Sequence, residues 1–383
     1  MNTPAAFSTS TTHVEQRISM KIKAAVVREK SGLFQIEELD LEDPREDEVL
    51  VRIEGCGICH TDLSARDQLT PSPLPIVLGH EGSGVVEKVG SRVRKVKPGD
   101  HVVLSAMFCG TCSWCKKGKP DICSSTFQLN FFGTRADGSV TMQKGGEKVY
   151  ASFFGQSSFA SHALANERNT VVVPKDIPIE ILGPLGCGVR TGVGSVIHSL
   201  NARAGSSIAV FGTGSVGMNA VLAASLCGCA KIFAVDLIEE KLEKAAGFGA
   251  THTVNSGKTD PVKEILHICE EGIDYSLDCT GNPGAIRQAV DVLAPGGICG
   301  LIGAPPPGTE VNLGVLHFLP GRRVIGIMGG DTIPEIIFPE LIDLYRQDRF
   351  PFDRMIRFYP LEAINDAVRD CEDGKTLKAV LRP

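Results

Sequence analysis

The segment "SSIAVFGTGSVGMNAVLAASLCGCAKIFAVD" (206–236) leaves few folds open to this chain. An apolar strand runs into a glycine-rich turn, the turn opens a helix, and a second apolar strand follows. A helical crossover of this kind returns the chain to run parallel to the strand it left. In "GTGSVG", Gly212 permits the tight turn, Gly214 lets a pyrophosphate approach, and Gly217 packs helix against strand. The amides at the helix N-terminus then face the phosphates. The second strand, "KIFAVD", ends in Asp236, nineteen residues past Gly217. A carboxylate there accepts hydrogen bonds from the adenosine ribose and repels a 2′-phosphate, which favours NAD over NADP. Lys241, on the helix that follows, is placed to reach the same ribose; a plain surface lysine reads identically.

The alternation continues through "EEKLEKAAGFG", "YSLDCTG", "NPGAIRQAVDVL" and "GGICGLIGAP", so a doubly wound parallel sheet is expected. The first part of the chain differs. "KIKAAVVR", "FQIEELD", "EVLVRIEGCGI", "GSGVVEKVG" and "GDHVVLS" are short, β-rich and bounded by Gly, Pro and Asp, with no long helix before about residue 160. An irregular antiparallel, barrel-like domain should form there. The character changes within 178–200, and the tail from "FPELIDLYRQDRF" onward offers two helices and a terminal strand. That strand either finishes the parallel sheet or returns to the first domain.

At 383 residues the chain exceeds one ordinary core, in keeping with two domains. A net charge of -6 with mixed signs offers no face for nucleic acid and no attraction to an anionic membrane. No apolar run approaches the length of a membrane span. The opening "MNTPAAFSTSTTHVEQRISM" has no apolar core and few arginines, so residues 1–20 read as a disordered extension rather than an export or transit signal. A cytoplasmic location is expected, and with it a use for 13 cysteines other than disulfides: metal or catalysis.

"CGTCSWCKKGKPDIC" supplies Cys109, Cys112, Cys115 and Cys123. Four thiolates so close in sequence can wrap one tetrahedral zinc without help from elsewhere. Iron–sulfur ligation uses runs of similar density. No second cluster motif accompanies this one, and the nucleotide unit already provides a two-electron carrier. A closed shell of four thiolates leaves no open position, so this ion should hold a loop. Chemistry requires a second, open site. Its candidates are Cys59 in "GCGICHTDL", His80 in "LGHEGSG" and Cys187 in "GPLGCGVRTG": two thiolates and an imidazole, with water in the fourth place. Spacing alone does not bring these three together. Each taken singly reads as well as a buried thiol or a satisfied histidine.

With these segments in hand, residues 21–383 resemble the zinc-dependent medium-chain alcohol dehydrogenase family. "GHEGSGVVEKVG", the four-cysteine lobe, "GCGVRTGVG" and "GTGSVG" stand in that family's order and spacing. "CHTDL", "FFGQSSFA" and "ILGPLGCG" bring the chain nearest to bacterial aryl-alcohol (benzyl alcohol) and allylic-alcohol enzymes. The resemblance implies a GroES-like catalytic domain over 21–188 and 328–383, and a Rossmann coenzyme domain over 189–327. It implies two zinc ions per subunit, the catalytic one held by Cys59, His80 and Cys187. Glu81 matches a carboxylate that replaces water on the metal in some states, and Asp62 one that orients the ligating histidine. Thr61 matches the hydroxyl that relays the proton. His60 and Lys378 match basic contacts to the coenzyme phosphates. Cys56 matches no ligand and should be packed.

Two departures accompany the resemblance. Ser64 stands where some animal relatives end the proton relay in histidine, and His60 stands where they place arginine. Neutral imidazole holds phosphate less firmly than guanidinium, so faster coenzyme release is implied. The substrate implied is a small primary aromatic or allylic alcohol, or its aldehyde. The alternatives are a glutathione-linked formaldehyde dehydrogenase or general alcohol dehydrogenase of the same family and, more remotely, a non-catalytic dinucleotide-binding protein. The family assembles through its coenzyme domain, with a tetramer favoured over a dimer. "RRVIGIMGG" (322–330) reads as an edge strand that pairs across subunits or as a buried strand within one.

Overall fold

The computed structural model describes residues 19–383. The expected extension over 1–20 lies outside the described residues up to residue 18. Its last two residues do not belong to an extension, because Ser19 and Met20 begin the first strand, Ser19–Val27, which pairs with Gln35–Glu42.

Two β-sheets dominate the first half of the chain. One has five strands, in the order Ile76–Val77, Ser19–Val27, Gln35–Glu42, Met142–Lys144 and Glu147–Val149. The other has seven and is centred on Glu48–Gly57, which pairs with Glu81–Val89, His162–Asn166 and Lys378–Arg382. Side chains from both sheets, among them Ile22, Leu39 and Val51, form one apolar core with Leu78 and Phe159 from the connections. The long strand Glu48–Gly57 shifts register against Glu81–Val89 at Leu50/Val51 and again at Ile53/Gly55. Such irregularities bend a strand and re-aim its end. Here the end delivers Gly57, then Cys59, to the rim of the domain.

The second half is a six-stranded sheet in which every pairing is parallel. Its order is His252–Asn255, Lys231–Asp236, Ser207–Phe211, Ile273–Asp278, Leu293–Leu301 and Arg323–Gly326. Counted along this sheet the order is 3-2-1-4-5-6, the doubly wound arrangement that binds dinucleotides where the winding reverses. Ile208 and Val210 face one core while Ala209 and Phe211 face the other, so the central strand is buried on both sides. Helix Ser215–Leu226 is buried along Gly217–Ala224, which explains its lack of a polar stripe.

The tail returns to the first domain. Lys378–Arg382 pairs antiparallel with Glu48–Gly57 and parallel with Ile356–Pro360, and does not extend the parallel sheet. Arg323–Gly326, within "RRVIGIMGG", is the last strand of that sheet and is only partly covered. Within one subunit this segment is thus the edge strand of the sheet and not a buried one. No helix among the described residues is long and apolar enough to cross a membrane.

Candidate active site

Cys59 caps the short helix His60–Arg66, and Asp62 stands one turn in. The fully buried Asp62 carboxylate accepts the Cys59 amide at 3.0 Å through Oδ2. Its Oδ1 accepts the Gly79 amide at 3.0 Å and lies 2.8 Å from His80 Nδ1. One acid thus fixes the backbone of Cys59 and the ring of His80 together. That leaves His80 Nε2 buried with no protein partner. The donor atoms of Cys59, His80, Glu81 and Cys187 all lie within 4.8 Å of one another. The fold has done what spacing did not, gathering three distant segments at one point.

The electrostatics of the set suit a cation. The hydrogen bond from Cys187 holds the Cys59 thiol well below its ordinary pKa, although burial opposes it. The same hydrogen bond, with burial, pushes Cys187 well up, because a second thiolate would face the first. A divalent ion supplies the charge that lets both ionise. Two soft sulfurs beside an unpartnered imidazole nitrogen fit zinc. Asp62→Ala is expected to weaken metal retention by about 10- to 100-fold, the scale for groups that orient a ligating histidine. Competition with a chromogenic chelator checks this.

Glu81 is fully buried and accepts the Gly188 amide at 3.0 Å and Lys378 Nζ at 2.8 and 3.0 Å. Burial raises its carboxyl to about 7, against the pull of Lys378. A β-carbon on Gly57 would fall 1.9 Å from Glu81 Oε2, so only glycine lets the strand pass this carboxylate. Lys378 lines the cleft between the domains, but its third donor goes to the Ile58 carbonyl at 3.0 Å. Its three N–H groups are thus spent within the protein, and it can act on a phosphate chiefly through charge. Thr61 is half-buried, with Oγ1 3.7 Å from Cys59 Sγ. Ser64 is buried at the back of the same helix, and Cys56 is packed in the core.

The cleft, of about 270 Å³, is lined by Cys59, His60, Gly214, Ser215, Gly217, Lys241 and Lys378 among others. It therefore joins the donor set to the glycine turn. Gly212 adopts φ +89°, and a β-carbon on Gly217 would meet the Gly212 carbonyl at 1.9 Å. Gly214 has nothing within 4 Å of that position, and Ser215 Oγ is buried without a partner beside it. These features form a cradle for a phosphate. Asp236 Oδ2 accepts the Thr213 amide and hydroxyl at 2.7 and 2.9 Å, while Oδ1 accepts the amides of Leu237 and Ile238. A ribose would share this carboxylate with the turn it braces.

Cys109, Cys112, Cys115 and Cys123 bring their sulfurs within 4.8 Å of one another, and none is in a disulfide. Amides of Cys109, Thr111, Cys112, Cys115 and Ser125 point at the sulfurs from 3.3 to 3.5 Å. Backbone hydrogen bonds, that from Cys115 foremost, lower Cys112 to about 5, whereas burial lifts Cys115 to about 12. A ring of amides around converging sulfurs fits a four-thiolate metal site.

Two arrangements were not foreseen from the sequence, in which Phe108, Phe131 and Phe132 read equally as pocket walls or as plain packing. Phe154, within "FFGQSSFA", adopts φ +53° and stacks on the His80 ring at 4.5 Å between centroids. Phe131 meets Phe154 edge-on at 5.2 Å and stacks on the half-exposed Phe127 at 5.1 Å. Phe132, also half-exposed, touches Phe127 alone of these rings. The other feature is a buried ion pair between Arg190 and Asp121. Residue type signals neither arrangement, though a bulky residue next to a glycine is a weak hint of the turn at Phe154.

A cleft that joins a thiolate–imidazole donor set to a dinucleotide turn defines a metal-dependent, coenzyme-linked oxidoreductase. Known proteins narrow that class. Residues 45–175 match the alcohol dehydrogenase GroES-like domain, and residues 215–347 match the zinc-binding dehydrogenase domain. Geraniol dehydrogenase of Castellaniella defragrans is 43% identical over 362 residues, covering 94% of this chain and 97% of that protein. The crystal structure of benzyl alcohol dehydrogenase from Acinetobacter calcoaceticus superposes with a TM-score of 0.92 at 44% identity, over 95% of this chain and 99% of that one. An alcohol dehydrogenase zinc-binding domain protein from Burkholderia ambifaria gives a TM-score of 0.93 at 48% identity, over 95% and 99%. The chain belongs to the zinc-binding medium-chain alcohol dehydrogenase family.

Proposed function

We propose that this enzyme reversibly oxidises primary aromatic and allylic alcohols to aldehydes, with NAD as hydride acceptor. The observation that carries the substrate class is the run of phenylalanine rings from Phe127 through Phe131 to Phe154, whose last ring lies on the metal-facing histidine. Flat π-systems pack on aromatic walls, and buried apolar area holds them. The relatives named for geraniol and benzyl alcohol act on one allylic and one benzylic alcohol. NAD, rather than NADP, is supported by the carboxylate of Asp236 at the end of the second strand.

In this reading Cys59, His80 and Cys187 hold the catalytic zinc, with Glu81 in reach of it. The four cysteines from Cys109 to Cys123 hold a second zinc that fastens their loop. When bound, zinc supplies the Lewis acidity that lowers an alcohol's pKa, and NAD supplies the ring that takes the hydride. The chain does the rest. Asp62 keeps His80 in the tautomer that presents Nε2. Thr61 holds and passes the alcohol proton. Ser64 does not ionise near neutral pH, so the proton leaves through water or another group. Gly212, Gly214, Gly217 and His60 seat the coenzyme phosphates, and Asp236 with Lys241 takes the ribose. Phe154 and Phe131 orient the substrate and exclude water from it. Subunits are proposed to pair along Arg323–Gly326 beside the exposed Val315, Leu316 and Leu319, as tetramers. Sedimentation as a monomer would remove that part of the reading.

The test is a panel of alcohols read as kcat/KM, since pocket contacts act through the transition state. Benzyl-type and allylic alcohols are expected to exceed ethanol by at least about 10-fold, the scale of apolar pocket discrimination. Ethanol equal to benzyl alcohol would overturn the substrate class, and faster turnover of the glutathione–formaldehyde adduct would replace it. With benzyl alcohol, NAD should outperform NADP, and Asp236→Ser should narrow the gap. Higher kcat/KM with NADP in the unmodified enzyme would overturn the coenzyme assignment.

A further inference from the structure

Arg190 lies three residues past Cys187, in the helix Gly188–Gly194, and is 3% exposed. Its Nε donates to the Gly186 carbonyl at 3.1 Å, on the residue just before Cys187. Its Nη1 lies 2.8 and 3.0 Å from the two carboxylate oxygens of Asp121. The same nitrogen lies 3.1 Å from the Gly329 carbonyl and 2.9 Å from Thr332 Oγ1. Asp121 sits in the four-cysteine lobe, between Cys115 and Cys123, and also accepts the Thr332 amide at 3.2 Å. One buried cation therefore touches three things: the backbone beside a ligand of the open donor set, the loop that carries the closed set, and the segment 329–332 that leads out of the parallel sheet.

Packing leaves this junction little slack. A β-carbon on Gly329 would fall 2.4 Å from the Asp121 carboxylate, so the 329–332 turn presses directly on the pair. Cys187 is the residue from which the helix starts, and its carbonyl accepts the Thr191 amide at 3.0 Å. Whatever shifts the first turn of that helix shifts Cys187 with it. A buried ion pair adds little net stability compared with apolar packing, yet removing one partner strands a charge.

We propose that the Arg190–Asp121 pair is a strut between the two donor sets, and that Arg190 is a positioning residue for Cys187. The proposal rests on both sets binding metal. Loosening the four-cysteine lobe then loosens the Cys59/His80/Cys187 centre, although no ligand is shared.

The test uses the full-length protein and the variants Asp121→Asn, Arg190→Gln and Arg190→Lys. Asp121→Asn keeps the side chain's shape but removes the charge and one of its two acceptor atoms, so it reports even where Arg190→Gln folds poorly. The ion belonging to the Cys59 set is identified as the one missing from Cys59→Ser. Its transfer to a chelator is expected to be about 10-fold faster in Asp121→Asn and Arg190→Gln, as for other groups that orient a ligand. With cobalt in that site, the ligand-field absorption should change shape in both variants. Arg190→Lys, which keeps the charge without the planar fork, should restore transfer and spectrum in part. Unchanged transfer and spectrum, with only a lower melting temperature, would reduce the pair to packing and overturn the proposal. A parent protein that takes up no ion at the Cys59 set would overturn the metal reading itself, and the strut with it.

Discussion

Cys59→Ser is expected to lower kcat for benzyl alcohol by at least about 10³-fold, because it removes about 4 kcal/mol of transition-state stabilisation. A serine hydroxyl is neutral at pH 7 and a hard, weak donor, whereas Cys59 already ionises with ease through its hydrogen bond from Cys187. Cys59 is also anchored by its backbone, since Asp62 accepts its amide at 3.0 Å. The substitution therefore leaves the helix start intact and takes away only the sulfur. Circular dichroism should not change, and metal analysis should show one ion per chain in place of two. Turnover above about a hundredth of the parent rate, a deficit under about 2.7 kcal/mol, would show that the chemistry does not depend on this ligand.

Cys112→Ser should act in the opposite sense, on stability before rate. Cys112 accepts the Cys115 amide at 3.5 Å and carries the most strongly lowered thiol of the four, at about 5. It is the sulfur best prepared to be a thiolate. Because structural zinc affinity is folding free energy, losing one of four ligands should cost more than the 10- to 100-fold in retention that orienting groups cost. Apart from the Arg190–Asp121 pair, little packing holds the lobe: helix Ser113–Lys116 buries no residue. Faster chelator stripping, easier proteolysis near residue 115 and a lower melting temperature are the expected readings. A variant as stable as its parent, still carrying two ions, would remove this loop from the list of metal sites.

What was legible in advance was whatever residue type alone determines. Gly212 and Gly217 announced a turn because no side chain fits there, and Asp236 announced the end of the second strand. The four cysteines were legible because their ligands are local. The open site was harder, since Asp62 and His80 are 18 positions apart and meet only through the tertiary fold. The family resemblance supplied that convergence; periodicity did not. Lys378 shows the limit in another way. The resemblance implied a phosphate contact, and the structure gives its ammonium to Glu81 and Ile58, a choice set by burial that no local pattern encodes. Arg190 and Asp121, 69 positions apart, had no signal at all, because any surface arginine and aspartate look the same.

The return of strand Lys378–Arg382 to Glu48–Gly57 also has a consequence for biosynthesis. Lys378 reaches the Ile58 carbonyl across 320 positions of sequence. A ribosome adding about 5 to 20 residues each second leaves the first domain without that strand for about 16 s or more. Through that interval Cys56 and Gly57 pair with Glu81–Val89 on one edge only, and Glu81 is a carboxylate awaiting its cation. The strands of the parallel sheet are all made by Gly326, but one of its faces packs on Phe338, Leu341, Phe350 and Phe352, so that face too waits for the tail. One C-terminal stretch thus completes both domains, covering a face of the parallel sheet first and closing the Cys59 pocket last, when strand Lys378–Arg382 emerges.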